Sequence, residues 1–177
     1  MEWMLMPLKR YADFQGRSRR MEFWMWIVFS VIVSLVLSVI DGLVGLRIWS
    51  LNGGAPVAGA GVGLTIWRSQ GVLSLVWTLV ALIPNISVAM RRLHDTNRTG
   101  WWLLAPVAPY VIGFILTATA ALSQSLALIA AGGVLFFVGF VLAVVLIVFY
   151  CLPGTVGPNN YGPDPITAHE NLAETFQ

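Results

Sequence analysis

Charge is scarce in this chain. Only 10% of its 177 residues are Asp, Glu, Lys or Arg, against roughly a quarter in an ordinary soluble domain. Ten basic and eight acidic residues leave a formal net charge of +2. That is too little for a surface that tracks phosphates, so no nucleic-acid partner is expected. The single cysteine, Cys151, excludes an intramolecular disulfide framework and a cysteine-based zinc cluster. Histidine occurs only as His94 and His169, each isolated in sequence. No metal-ligand spacing results, and neither a metal nor a cofactor is expected. There is no nucleophile elbow. No phosphate-loop pattern closes the Gly/Ala-rich stretch from Asn52 to Gly63.

Apolar residues are plentiful instead. They make up 58% of the sequence, and the mean hydropathy is +0.80. A helix needs about 20 mostly apolar residues to cross the hydrocarbon core. Four stretches qualify, at about 23–44, 72–90, 101–122 and 126–152. In the first, Phe, Ile, Leu and Val contribute roughly 4 to 7 kcal/mol of insertion free energy. Asp41, placed where it can reach headgroups, should cost less than the roughly 3 kcal/mol of a central acid. The expected fold is therefore all-α: a polytopic membrane protein with four transmembrane helices in a single domain, residues 1–165, followed by a polar tail, residues 166–177. Ser18-Arg19-Arg20 faintly echoes a twin-arginine export signal, but Glu22 intrudes and no small-residue cleavage site follows promptly. The first helix is read as retained.

Lys and Arg set the orientation. The N-terminal tail holds five, the 45–71 connector two and the 91–100 connector three, while the C-terminal tail holds none. Four crossings put the tail and the second connector on one side, eight cations against two. Both termini are thus expected in the cytoplasm. Met1, Met4, Leu5, Leu8 and Ala12 share one helical face beside Trp3 and Tyr11, the pattern of a short interfacial helix. A frayed terminus held by Trp3 is the alternative. Trp49 and Trp67 suit headgroup anchoring of the outer connector.

Small residues mark helix-packing faces in lipid. The stripes are Ser30, Ser34 and Ser38 in the first span and Gly113, Thr117 and Ala121 in the third. Ala127 with Ala131, and Gly139 with Ala143, supply the spacing in the fourth. Pro84-Asn85 interrupts the second span. Proline frees a carbonyl that needs a partner in hydrocarbon, and Ser87 or a neighbouring helix is expected to supply it. Paired broken helices can also build a transport site.

Three polar segments carry the remaining information. Phe14 to Trp24 holds Arg17, Arg19 and Arg20, which can fork onto lipid phosphates or acidic groups. Gly16 there permits a sharp turn and Ser18 can cap the emerging helix. Glu22 offers the same arginines an internal ion pair. In Met90 to Trp102, Asp95 lies four residues after Arg91 and three after Arg92, within reach on a continuing helix. His94 and Arg98 flank it. Pro153 to Pro165, with Asn160, Tyr161 and Asp164, is built of turn formers.

Taken in order, Phe-x-Gly-Arg-x-x-Arg-x-Glu-x-Trp, Arg-Arg-Leu-His-Asp-x-x-Arg-x-x-Trp-Trp and Gly-x-x-Gly-x-Asn-x-Tyr-Gly-x-Asp-Pro resemble one bacterial family. It is the YhaH-like family of small inner-membrane proteins, domain of unknown function 805. The resemblance implies a bacterial inner-membrane location and supplies no catalytic residues. One departure stands out. Shorter relatives pass from the Trp-Trp motif to the final motif through one apolar stretch, whereas about 50 residues lie there in this chain, long enough for two crossings.

With two crossings all three motifs share the cytoplasmic face. Arg17, Arg19, Arg20, Arg91, Arg92, His94 and Arg98 would then surround Asp95, Asn160, Tyr161 and Asp164. Such a cap is either a structural ion-pair and turn network or a binding surface for anionic lipid headgroups or a membrane-protein partner. The function expected is a non-enzymatic scaffold or accessory subunit, with a homo-oligomer also open. The alternative is a transporter or channel for a small solute or lipid, formed by oligomerisation around the Pro84-Asn85 break. It is weakened by the lack of a charged residue near mid-membrane.

Overall fold

The structure, a computed structural model, describes residues 2–45 and 71–165. The expected anchors Trp49 and Trp67, the Gly/Ala-rich connector and the polar tail lie outside the described residues, as does the Trp3 side chain. Among the described residues five α-helices follow one another: α1 Glu2–Lys9, α2 Arg20–Val44, α3 Val72–Asp95, α4 Val107–Ser123 and α5 Leu126–Cys151, with a 3₁₀ helix at Gly100–Leu104. Among the described residues there is no strand, only an isolated bridge between Asn159 and Gly162. Four segments among the described residues, α2, α3, Gly100–Ser123 and α5, are long and apolar enough to cross a membrane. The distribution of polarity agrees with a bilayer solvent: Val31, Leu35, Val39 and Phe137 are exposed, whereas Arg17, Glu22, Asp41, Arg91, Arg92 and Asp95 are buried.

The third span differs from one uninterrupted α-helix. Pro106 and Pro109 lack N–H groups and fit only where those donors are unneeded, in the first turn. The α-helix therefore starts at Val107, and the preceding Trp101-Trp102 stretch tightens into 3₁₀.

The chain divides into two compact units. One comprises Met1–Asp13 with Trp24–Ser87, the other Phe14–Phe23 with Val88–Gln177. In the first unit α2 and α3 pair antiparallel. Asp41, expected to reach headgroups, is instead buried. Its carboxylate accepts from Leu73 N at 3.1 Å, Ser74 N at 2.9 Å and Ser74 Oγ at 2.7 Å. The two backbone N–H groups are orphan donors of α3's first turn, and a carboxylate there also meets the positive end of the helix dipole. Gly71 is required beside it, because a Cβ would overlap the Asp41 carboxyl. At the other end of α2, Trp26 Nε1 donates to Asn85 Oδ1 at 2.6 Å.

Helix α3 runs continuously over Pro84. Without a proline N–H, the carbonyl four residues earlier, on Val80, loses its helical donor. Tyr11 supplies one: its hydroxyl donates to Val80 O at 2.7 Å. Ser87, expected in this role, donates instead to Asp13 O at 2.6 Å. A short N-terminal helix is present but ends at Lys9, leaving Ala12 outside it, and Tyr11 serves the carbonyl that Pro84 leaves without a helical donor.

In the second unit α4 and α5 form an antiparallel hairpin turned by Gln124 in the left-handed region, φ 51°. Gly113 and Thr117 of α4 meet Gly132 of α5, and Gly139 of α5 meets the Tyr110 ring. A Cβ on Gly113 would stand 3.2 Å from Gly132 O. This is close backbone approach of the kind that drives association in lipid. Of the expected stripes, Gly113, Thr117 and Gly139 lie in this contact and the rest is corrected. Ala121, Ala127, Ala131 and, in α2, Ser38 are exposed. The hairpin seam uses Gly132 and Gly139, seven residues apart and so on one face.

Candidate functional site

All three motifs meet in the second unit, and Asp95, the last residue of α3, is the residue they share. Its carboxylate accepts from Arg17 Nε at 2.9 Å through Oδ1 and from Arg92 through Oδ2. Its backbone carbonyl accepts from Thr155 N at 2.9 Å and Thr155 Oγ1 at 3.1 Å. One residue of the second motif thereby fastens the first and the third. The side chains of Arg17, Arg92 and Asp95 are 2%, 0% and 6% exposed. Buried charges at this level require complete pairing.

Each arginine meets that requirement with carbonyls as well as the carboxylate. Arg17 donates to Gly157 O at 2.6 Å and to Thr155 O. Arg92 donates to Tyr150 O at 3.1 Å and to Leu152 O. The latter two carbonyls lie at the C-terminal end of α5, which has no basic residue in its own last turn. Arg92 therefore supplies the cation that the negative end of α5 lacks. Gly154 passes so close that a Cβ would overlap the Asp95 carboxylate.

Two expected pairings change partner. Arg91 reaches Glu22 at 3.0 Å rather than Asp95, both side chains being buried. On a helix, residues 91 and 92 point about 100° apart, so one faces the final motif and the other the first. Glu22 serves Arg91 rather than the arginines of its own segment. Ser18 does not cap α2. Its backbone N–H donates to Arg91 O at 3.2 Å, while Phe23 N donates to Arg19 O, so the helix starts from Arg19.

Of the remaining predicted residues, His94 stacks on Tyr161 with ring centroids 4.0 Å apart and planes 3° from parallel, and its Nδ1 lies 3.3 Å from Gly16 O. Asp164 Oδ2 accepts from Gly157 N at 3.0 Å. Gly157 itself has φ +80°, which disfavours any side chain there. Arg19 donates to Pro165 O. Arg20 is exposed, with a 3.4 Å contact to Cys151 O. Arg98 is not brought to Asp95: its guanidinium lies 3.9 Å above the Phe149 ring. Asn160 is also exposed. Its neighbour Asn159 does the bonding, with Nδ2 donating to His94 O and Thr155 Oγ1, both at 2.9 Å, and Oδ1 accepting from Tyr161 N at 2.9 Å.

Asn159, Thr155 and Gly154 thus join the site in addition to the residues expected there, and Glu22 has a different partner. The signal for Asn159 is present in the sequence, since the asparagine of the Gly-x-x-Gly-x-Asn-x-Tyr pattern falls at 159. Thr155 lies at an unspecified position of that pattern, and nothing in the sequence marks it.

Known proteins match most of the chain. A family described as "Protein of unknown function (DUF805)" matches residues 11–163, a range that contains the three motifs up to their final turn. The chain is 32% identical to the inner membrane protein YhaH of Escherichia coli K12 over 165 residues, which cover 93% of this chain and 97% of that one. Identity to the inner membrane protein YhaI of the same organism is also 32%, covering 93% and 96%. No solved structure matches. The chain is thus a small integral inner-membrane protein, and it belongs to the DUF805 family.

Proposed function

We propose that this protein is a non-catalytic scaffold or accessory subunit of the inner membrane. Its Asp95-centred cap forms a rigid cytoplasmic platform for anionic lipid headgroups or an acidic segment of a membrane partner. The observation that carries the reading is the saturation of Asp95. Both carboxylate oxygens are taken by guanidiniums and the backbone carbonyl by Thr155, so the acid at the centre of the cap is committed to internal partners rather than aimed at a substrate. The motif residues hold one another, and what they offer outward is shape and residual positive charge. The eight-to-two partition of Lys and Arg supports the cytoplasmic position.

The transporter alternative has less support. The polar groups at the Pro84-Asn85 break are occupied, Val80 O by Tyr11 and Asn85 Oδ1 by Trp26. Purification in mild detergent followed by mass spectrometry tests the proposal: a stoichiometric protein or lipid partner is expected. Solute flux in proteoliposomes containing only this chain would overturn it. With Cys151 replaced by serine, single cysteines at positions 97 and 160 should both label only from the cytoplasmic side.

A further inference from the structure

Beside the Asp95 node lies an open cleft of about 410 Å³, within the roughly 300–1,000 Å³ range of small-ligand sites. Its walls combine two chemistries. Met21, Pro153 and Val156 are apolar, and Arg20 contributes the outward cation. Arg17 also lines it, already fixed on Asp95 and two carbonyls. Asp164 is a lining acid, but Gly157 N occupies one of its oxygens, and Asp95 is shared by two arginines. Arg19 lines the cleft as well, so three arginines stand against two aspartates and the balance of the lining is cationic.

Position decides what such a cleft would take. Arg20 begins α2 and Cys151 ends α5, so the cleft lies where two membrane-spanning helices leave the apolar slab. Met21 is 61% and Val156 98% exposed. An exposed valine at the tip of a polar turn, with a methionine at the rim of the same cleft, is costly in water and favourable against lipid. Among the described residues, Arg20 is held by the 3.4 Å contact to Cys151 O, whereas Arg17 and Arg92 are locked by several bonds. An arginine presented this way at headgroup depth is suited to a phosphodiester.

We infer that this cleft is a specific site for one anionic glycerophospholipid. Arg20 grips the phosphate, and Met21, Pro153 and Val156 lie against the glycerol and the upper acyl chain. The inference rests on the platform reading above and deepens it by naming the lipid class and the residues.

Native mass spectrometry of the full chain in mild detergent tests it, with phosphatidylglycerol, phosphatidylcholine or inorganic phosphate added at equal concentration. One phosphatidylglycerol should be retained per protein, well above phosphatidylcholine, and millimolar phosphate should not displace it. Arg20→Gln should lower retention roughly five- to tenfold, and Val156→Ser severalfold. Both positions are exposed, so both variants should unfold at the wild-type midpoint. Equal retention of the two lipids, or retention unchanged in both variants, overturns the site. Displacement by phosphate would make it a free-anion site and overturn the lipid assignment. The two readings fail separately. A stoichiometric protein partner without bound lipid leaves the platform standing and removes this site. Specific retention of lipid, with position 160 labelling from outside, keeps the site and removes the cytoplasmic assignment.

Discussion

Replacing Asp95 with asparagine tests the central node directly. The carboxylate is shared by two guanidiniums whose side chains are at most 2% exposed. Asparagine keeps the shape but removes the charge, and it turns an N–H₂ group toward an arginine that can only donate. Breaking a buried pair in this way costs about 3–5 kcal/mol, because the surviving charge stays buried without compensation. Here two charges survive, so the upper half of that range is expected. Unfolding in mixed dodecyl maltoside and SDS, followed by fluorescence of the eight tryptophans, gives the change in stability. A cycle with Arg92→Met sharpens it: once the carboxylate is gone, removing Arg92 relieves repulsion, so the double variant should be more stable than the sum of the single losses by at least about 1 kcal/mol. A loss below about 1 kcal/mol for Asp95→Asn, or simple additivity, would refute the node as the element that fastens the three motifs.

Gly154→Ala drives a methyl into the Asp95 carboxylate and should cost about 1–3 kcal/mol, read in the same unfolding assay. Tyr11→Phe leaves the Val80 carbonyl without its donor and should cost about 1–2 kcal/mol. In a Pro84→Ala background, where residue 84 regains its N–H, the same change should cost almost nothing. An equal loss in both backgrounds would show that Tyr11 stabilises by some other route. Asp41→Ala removes three bonds to the start of α3 and should cost about 0.5–2 kcal/mol. Hydrogen exchange should then rise at Leu73 and Ser74, while protection on α5 stays at the wild-type level.

What can be read in the sequence follows physical range. The four spans are legible because burial in lipid imposes one demand on about 20 consecutive residues, and a composition that meets it is unmistakable. The pairing of Arg92 with Asp95 is legible because three residues on a helix return to one face. The partner of Arg91 is not, since Glu22 lies on another helix and Asp95 is equally within helical reach. Residue type alone does not separate the two adjacent asparagines, and only the family pattern, whose asparagine falls at 159, marks the one that faces inward. The turn decides that, through Gly157 and Gly162 at positive φ, and it selects Asn159. The role of Tyr11 is hidden because the donor that Pro84 requires is distant in sequence and belongs to a segment whose pattern suggests only a surface helix.

The reliance of Arg17 and Arg92 on carbonyls between Tyr150 and Gly157 has a consequence for synthesis. The ribosome makes the first two motifs long before the last, so two guanidiniums emerge while most of their acceptors are still untranslated. Until the final hairpin has inserted, those groups must stay hydrated at the membrane surface or be sheltered by the insertion machinery. A stop codon shortly after position 152 would leave Arg92 its two carbonyls but strip Arg17 of Thr155 O and Gly157 O, yielding a product that threads the bilayer yet stays half-latched, and proteolytic quality control should clear it quickly.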